Sequence, residues 1–574
     1  MKTKFIYLTI AFAVMLGFSS CKLDYFPSDE LNSEVLLSDE SGAQYIVDGC
    51  YAMLKEEQEY LGYASGNTYI RHYFQLAEFP ADNTCLSGRT TDPLYQAACL
   101  KMTDNLQNVG TLWWVAYKVI FTANSVIGGF EEGKSKECDQ LLGEAYFLRA
   151  LMHFQLVTLF AKPYVLGTSN PGIVLRTSTN TETTTRATVG EVYEQVVADL
   201  LKAADLMNKP RTDPKNPNPG YARKESALGL LSRVYLYMGK NQEVIDIIAK
   251  MGDPVANLDK DFSNYFANAL KSKETLFAVA HTALETRGQS SIGSMFLNDG
   301  IGWGEIYASD PLLNLYERYP DDIRLSYIKM QEETDKKNPL TGKTVVFFPT
   351  KTDSVDFRSN TYAEVKTDGE GKYCEITDEG GTKKKYRIDE VKVNGMNKPD
   401  AAGEYTMYSV DYNGEKCPAR IMKFPILRFT FPNYFVTKFS YQDGDPMLSS
   451  PVMLRWGEVL LNRAEAYAKL GKNTEALADV DAIRARAGIP AEGMFSGNMH
   501  GYDNVLDIVL DERRMELAFE GHRMFDVYRN QQKMNRQFGG VQTWEIVDCN
   551  DPRTQYPIPY GEISVSGIQQ NPGY

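Results

Sequence analysis

Apolar residues recur every three to four positions through most of the first 250 residues, the spacing that puts one buried stripe on a helix. This periodicity predicts helices over Ser41–Lys55, Leu112–Ile127, Asp139–Phe160, Val189–Met207, Arg223–Met238 and Gln242–Met251. The stretch Arg211–Tyr221 (RTDPKNPNPGY) is a proline-rich connection between two of them. From 270 to 450 the pattern changes to two-residue alternation broken by Gly, Asp and Asn, which predicts short strands and turns. Its most charged part, 365–400, reads as solvated surface hairpins. Helical spacing returns over Pro451–Ala487 and Asn504–Asn530, and residues 531–574 read as loop.

The two helical regions share a short repeat. Tyr235-Leu-Tyr-Met-Gly239-Lys-Asn-Gln-Glu243 and Tyr467-Ala-Lys-Leu-Gly471-Lys-Asn-Thr-Glu475 both keep Tyr-x-x-x-Gly-Lys-Asn-x-Glu. In the second copy Ala476, Val480 and Ile483 follow at helical spacing. A Tyr between paired helices, a Gly to reverse the chain and small residues at the crossing are the grammar of a tetratricopeptide unit. The expected fold is mainly α: a tetratricopeptide-like scaffold (40–250 and 451–530) interrupted by a loop-rich α/β insertion with short strands (270–450). Such arrays are usually scaffolds rather than catalysts.

Length changes this picture little. For 574 residues it suggests about four domains, but a scaffold split around an insertion points to a single domain over 21–574. Charge excludes more. With 61 basic and 75 acidic residues the net charge is −14, which argues against a nucleic-acid binder tracking phosphates. Tyr (35) outnumbers Phe (27), and an apolar ring with a polar tip suits wet binding surfaces as well as core.

Residues 1–20 read as a secretory signal, with Lys2 and Lys4 ahead of an apolar run from Phe5 to Phe18. That run ends in Gly17-Phe18-Ser19-Ser20-Cys21, which resembles a bacterial lipobox, with Cys21 as the acylated first residue of the mature chain. Acyl chains there would anchor the protein to a membrane, each buried CH₂ contributing about 0.8 kcal/mol. Lys22 stands where an aspartate would resemble an inner-membrane retention signal, so the outer membrane is favoured. Loss of Lys2 and Lys4 moves the formal charge from −14 to −16. Cys50, Cys85, Cys99, Cys138, Cys374, Cys417 and Cys549 contain no C-x-x-C pair, which removes zinc-ribbon and thioredoxin readings. Most are expected to be small buried hydrophobes.

Longer motifs carry a family resemblance. Glu144-Ala-Tyr-Phe-Leu-Arg149-Ala150 with His153-Phe154, Arg455-Trp456-Gly457-Glu458 through Arg463-Ala-Glu465-Ala, and Glu512-Arg-Arg-Met-Glu516 through Glu520-Gly-His522-Arg-Met-Phe-Asp526 are three of its pieces. Tyr556-Pro-Ile-Pro559 and Gln570-Asn571-Pro572-Gly573-Tyr574 complete it. Together they resemble the SusD/RagB family of outer-membrane lipoproteins. The resemblance implies a non-enzymatic protein on the cell exterior. It would capture oligo- or polysaccharide and pass it to a TonB-dependent, SusC-like transporter. Gly457, Met515 and Met524 depart from the family pattern and read as packing variation. A RagB-like peptide binder is the alternative. A secreted glycoside hydrolase would need two carboxylates about 5–9.5 Å apart, and no local signature proposes such a pair.

The candidate contacts follow from this expectation. Gly300-Ile-Gly302-Trp303-Gly304 lacks a phosphate-loop pattern and reads as a loop whose glycines free the backbone to project Trp303. Trp303 and Tyr307, near Asn298, Asp299 and Glu305, combine rings for sugar C–H faces with partners for hydroxyls. In the region 60–100, Tyr69, Arg71 and Tyr95 are the preferred contacts, while Asp82-Asn83 resembles a structural family turn. Trp113 and Trp114 sit at a predicted helix start, where core packing is expected of at least one. His522 and Asp526 are i,i+4 neighbours, but without H-E-x-x-H they and Glu458, Arg463 and Glu465 read as ion pairs. No cofactor is expected. Asp259-x-Asp261-x-Ser263 lacks the glycine and closing Glu of an EF-hand, and a structural calcium ion is left open.

Overall fold

The computed structural model describes residues 40–88, 93–182, 184–211, 218–298, 300–351, 357–394 and 404–574. The signal segment and Cys21 lie outside the described residues. Among the described residues eight α-helices come first: α1 (Glu40–Met53), α2 (Tyr69–Glu78), α3 (Pro93–Ala98), α4 (Gln107–Gly129), α5 (Lys136–Phe160), α6 (Val189–Leu206), α7 (Lys224–Tyr237) and α8 (Asn241–Met251). Their starts are written locally. The Ser135 hydroxyl accepts from the Cys138 amide at 3.0 Å, with Glu137 and Asp139 in the first turn to meet the helix dipole. Thr188 and Glu191 close a reciprocal capping box on α6. Sequence periodicity located six of these helices within a few residues, but α2 and α3 fall where loop was expected.

The middle of the chain mixes short strands β1 (Thr84–Leu86), β2 (Thr275–Ala278), β3 (Ile306–Ala308) and β4 (Ile328–Met330) with short helices α9 (Ile292–Phe296) and α10 (Asp310–Tyr316). Seven strands then build one antiparallel sheet: β5 (Thr344–Lys351), β6 (Arg358–Glu364), β7 (Lys366–Asp368), β8 (Gly371–Thr377), β9 (Lys383–Asn394), β10 (Glu404–Tyr412) and β11 (Glu415–Lys423). Their order is β6-β5-β11-β10-β9-β8-β7. Val346, Phe348, Ala363, Cys374, Ile388, Val410 and Cys417 form the sheet's own buried cluster. Within the charged stretch expected as hairpins, residues 366–394 supply the outer strands of this sheet, edged by ion pairs such as Arg387–Asp368 at 2.7 Å, and 395–400 lie outside the described residues. A hairpin of β12 (Leu427–Arg428) and β13 (Phe431–Pro432) follows, then β14 (Tyr434–Val436), which pairs with β4, and β15 (Val452–Arg455), which pairs with β2.

Helices α11 (Trp456–Lys469), α12 (Asn473–Arg486), α13 (Val505–Glu516), α14 (Arg523–Arg529) and α15 (Tyr560–Ser566) finish the chain. The predicted helix over Asn504–Asn530 is broken between α13 and α14, where Phe519 and Gly521 take φ of 70° and 75°. The last segment folds back on the first helices. The Tyr556 hydroxyl donates to the Leu76 carbonyl at 2.8 Å, and the Asn571 side-chain Nδ2 to the Phe160 carbonyl at 2.8 Å. One hydrophobic cluster accordingly runs from Ala43 to Ile568.

The sequence repeat is also a geometric one. Gly239 and Gly471 both take φ of 73°, a left-handed conformation that suits glycine. In each copy the Lys amide after that Gly bonds the Tyr carbonyl at 2.9 Å, Lys240 to Tyr235 and Lys472 to Tyr467. The copies meet in space: Arg233 on α7 pairs with Glu458 on α11 at 2.6 Å, and Asn462 donates to Ser232 at 3.1 Å. The mainly α, tetratricopeptide-like scaffold with an inserted sheet-bearing region is therefore the observed architecture.

The charged signature residues are buried. Arg455 reaches Glu520, Glu516 and Glu274 at 2.8, 2.6 and 2.8 Å, and Lys438 reaches Glu520 at 2.7 Å. Arg324 and Arg484 share Glu512 at 2.6 and 2.9 Å. Arg513 and Arg529 hold Asp526, and Arg463 holds Asp479 across α11 and α12. Burial alone would raise Glu520, yet Arg455 and Lys438 bring its carboxyl down to about 2. Removing one partner from such a cluster would leave an uncompensated buried charge, a loss of about 3–5 kcal/mol. Gly457 finds its reason here: a Cβ would meet the Arg455 guanidinium and come within 2.9 Å of Glu274 Oε1.

Candidate functional site

The loop from Leu297 to Glu305 leaves α9 and returns into β3. Ser291 caps α9 by accepting from the Ser294 amide at 3.2 Å. The Ser294 carbonyl then accepts from the Trp303 amide at 2.6 Å, which ties the loop back to the helix. Gly302 permits this, since a Cβ there would collide with that same carbonyl, and Gly300 and Gly304 take φ of 97° and 60°. Trp303 is half-buried and packs against the main core.

Arg71 from α2 lies over the Trp303 ring, its guanidinium carbon 4.9 Å from the centroid. Arg71 is itself 7% exposed and donates to the Gly66 carbonyl at 3.1 Å. One ring face is thus occupied by a cation, and a ligand would use the rest of the ring. Arg428 donates to the Trp303 carbonyl and approaches Glu305 at 3.7 Å. At the turn after Arg428, Phe429 takes φ of 56° and is 72% exposed. An aromatic residue held left-handed with its ring in solvent is a strained arrangement that clusters at functional sites. Its ring leans on Gly88, where a Cβ would fall 2.6 Å from it. The Ser87 amide donates to the Glu305 carbonyl at 3.1 Å, so three chain segments meet on one surface. Two rings, two guanidiniums and one carboxylate can stack on apolar faces and bond hydroxyls.

Of the residues singled out from sequence, Trp303 and Arg71 are brought together. Tyr307 and Tyr69 require correction as contacts. Tyr307 is fully buried in β3, its hydroxyl donating to the Gly304 carbonyl at 2.5 Å, so it holds the loop from below. Tyr69 is 1% exposed on α2 and donates to Gln155 at 2.5 Å. Tyr95 is half-buried on α3 and packs against the main core. Asp299 lies outside the described residues. Arg428 and Phe429 were missed because their turn carries no Gly, Asn or Asp to announce it. Trp113 is core and Trp114 is 37% exposed, as their place on a helix implied.

Among the described residues no group of three or more His, Cys, Asp or Glu is arranged to hold an ion. His522 is buried, and burial lowers it to about 4. Asp259 and Asp261 spend oxygens on their own turn, accepting from the Asp261 amide and the Ser263 hydroxyl at 2.9 Å each. Cys50, Cys85, Cys99, Cys138, Cys374, Cys417 and Cys549 are all buried, and no disulfide joins any two of them. Among the described residues no helix is long and apolar enough to cross a membrane.

A helical-repeat scaffold that carries a sheet-bearing insertion and presents aromatic and guanidinium groups from loops has the build of a binding protein. Family comparison agrees. Residues 274–574 match the model described as "SusD family", and residues 29–236 match one described as "Starch-binding associating with outer membrane". The chain belongs to the SusD family. SusD-like protein P2 of Formosa agariphila is 24% identical over 82% of both chains, and SusD-like protein P38 of that organism is 25% identical over 92% of both. Among solved structures, a SusD superfamily protein from Bacteroides thetaiotaomicron superposes with a TM-score of 0.66 at 22% identity, covering 93% of this chain and 99% of that one. A laminarin-binding SusD-like protein superposes with a TM-score of 0.54 at 21% identity, covering 93% of this chain and all (100%) of that one.

Proposed function

We propose that this chain is a glycan-capturing lipoprotein, anchored through Cys21 on the outer face of the outer membrane. It binds oligo- or polysaccharide at the Trp303 surface and passes it, without catalysis, to a TonB-dependent transporter. The observation that carries this reading is the composite surface of Trp303, Arg71, Arg428 and Phe429 on a fold shared with a laminarin-binding protein. Family membership and the lipobox-like segment support the location and the partner.

The carboxylates of the signature helices do not favour hydrolysis. Glu458, Glu465, Glu512, Glu516 and Asp526 are buried against arginines, and a glycosidase pair must face substrate.

Trp303→Ala and Phe429→Ala are expected to weaken polysaccharide retention in an affinity gel about two- to tenfold each, the worth of one aromatic contact. Phe429, at 72% exposed, should leave the unfolding midpoint unchanged. Retention equal to wild type in both variants would remove this surface from the function. A peptide retained in place of glycan in the same screen would move the reading to a peptide binder.

A further inference from the structure

A groove of about 670 Å³ lies between the turn at Ser263–Asn264, the β4–β14 pair and the segment 437–441. It shares no lining residue with the Trp303 surface. The same short helix nonetheless touches both: the Ser294 carbonyl holds Trp303, and Gly293 abuts the Phe439 carbonyl, one residue before Ser440.

Three features distinguish this groove from an ordinary surface dent. Its volume is that of a small-molecule site, roughly 300–1,000 Å³. Tyr441 stands at its edge, 40% exposed, with a left-handed φ of 67° held by its amide donating to Asp445 at 3.0 Å and its carbonyl accepting from Gly444 at 3.1 Å. The fold therefore keeps a strained aromatic residue on a wet rim. Ser326 and Ser440 both line the groove, the hydroxyl oxygen of each is buried without a protein partner, and Ser440 as a residue is 2% exposed, so one turn about the Cα–Cβ bond would bring either hydroxyl to a ligand. A buried hydroxyl left unsatisfied is costly, and such a group takes a partner from outside the chain, water or a ligand hydroxyl.

The lining chemistry selects that partner. Ser263, Asn264, Gln331 and Thr437 supply neutral donors and acceptors, Lys329 is the one formal charge, and no carboxylate takes part. A phosphate or nucleotide site would gather several cations or helix amides, and an apolar ligand would leave these hydroxyls unpaired. A ring for stacking beside hydroxyl and amide groups suits a polyhydroxylated chain.

We propose that this groove is a second carbohydrate-binding subsite, with Tyr441 as its stacking platform and Ser326 and Ser440 bonding sugar hydroxyls. The ligand class rests on the glycan reading above; the place and the residues do not. A protein with two such subsites would hold a long glycan at two points, which raises retention by effective concentration.

The test uses the full mature chain and Tyr441→Ala, Ser440→Val and Trp303→Ala variants. Affinity gels carry laminarin, soluble starch or alginate, the last to expose any preference of Lys329 for carboxylated sugar. With the polysaccharide that wild type retains, Tyr441→Ala and Ser440→Val should each weaken retention about two- to tenfold, and combining Tyr441→Ala with Trp303→Ala should weaken it further than either alone. Thermal unfolding guards against misfolding: Ser440→Val removes an unsatisfied hydroxyl and should not lower the midpoint. Wild-type retention in both groove variants while Trp303→Ala loses binding overturns the second subsite alone. A lowered midpoint in Ser440→Val that recurs in Ser440→Ala, which adds no bulk, shows that the hydroxyl has an internal role, and also overturns it. If wild type retains none of the three, the glycan reading falls and the subsite with it.

Discussion

At the residue scale, the most constrained positions are those next to buried arginines. Gly457 lies in the first turn of α11, where alanine would gain about 1 kcal/mol in helix propensity. The new methyl would also press on Arg455, whose guanidinium is fixed by Glu520, Glu516 and Glu274. Overpacking typically costs about 1–3 kcal/mol, and a guanidinium held at three carboxylates cannot swing aside. Gly457→Ala should therefore lower stability despite the better helix former, as a denaturant titration would show. A gain in stability would mean that Arg455 can move. At this scale the sequence was only partly legible. The Glu/Arg density of 512–526 correctly implied paired charges, because no metal-ligand spacing competed with that reading. Tyr69 and Tyr307 could not be told from surface tyrosines, because a phenol looks the same in sequence whether its hydroxyl meets water or Gln155.

Elements were legible where their period was long. Helices of fourteen residues or more announced themselves, and the Tyr-x-x-x-Gly-Lys-Asn-x-Glu repeat foretold two turns with the same φ. Helix α2 was missed although its signals were present. Thr68 caps it by accepting from the Arg71 amide at 3.3 Å, and Ile70, Tyr73, Phe74 and Ala77 follow at helical spacing. Dense tyrosine and asparagine around it read as loop instead. The seven-stranded sheet has its own buried cluster, so its stability is expected to be partly separate from that of the helices. Ile388→Ala in β9 removes part of that cluster, at a cost of about 2–5 kcal/mol. Amide hydrogen exchange should then quicken across β5 to β11 and stay unchanged in α5 and α11. Acceleration of both regions alike would show one cooperative unit.

For the molecule as a whole, buried titratable groups set the response to acid. Burial lowers His72 and His153 to about 3 and His281 and His522 to about 4. Their unfolded value is near 6.5, so the unfolded chain binds their protons first and stability falls as pH drops below about 6.5. Burial also raises Glu78 and Glu144 to about 7 and Asp310 to about 6. These acids take up protons in the folded state first, so they add stability over the same interval and nearly offset the histidines. Below about 4.5 that compensation ends, because the unfolded chain protonates its acids too. Asp82, held near 2 by Arg514 and Arg523 against its burial, and Glu520, also near 2, then add their loss. The melting temperature should change little from pH 7 to 5 and drop steeply below about 4.5. A steady decline beginning at pH 7 would show that Glu78 and Glu144 are not protonated in the folded protein.

The pairing of early and late segments has a consequence for how the chain comes to be folded. Arg233 waits for Glu458, 225 residues further on, and Asp82 for Arg523, 441 residues further on. Leu76 receives its bond from Tyr556 across 480 residues. A polypeptide that emerges from its N-terminus must keep those groups solvated until nearly its whole length is available. Early collapse of α2 and α7 would bury charges ahead of their counterions, and that penalty keeps the nascent half open. The arginines of α13 and α14 then act as the clasp that closes last. So distant a closure makes folding slow, and a chain cut short before residue 505 would keep its first half hydrated and unassembled.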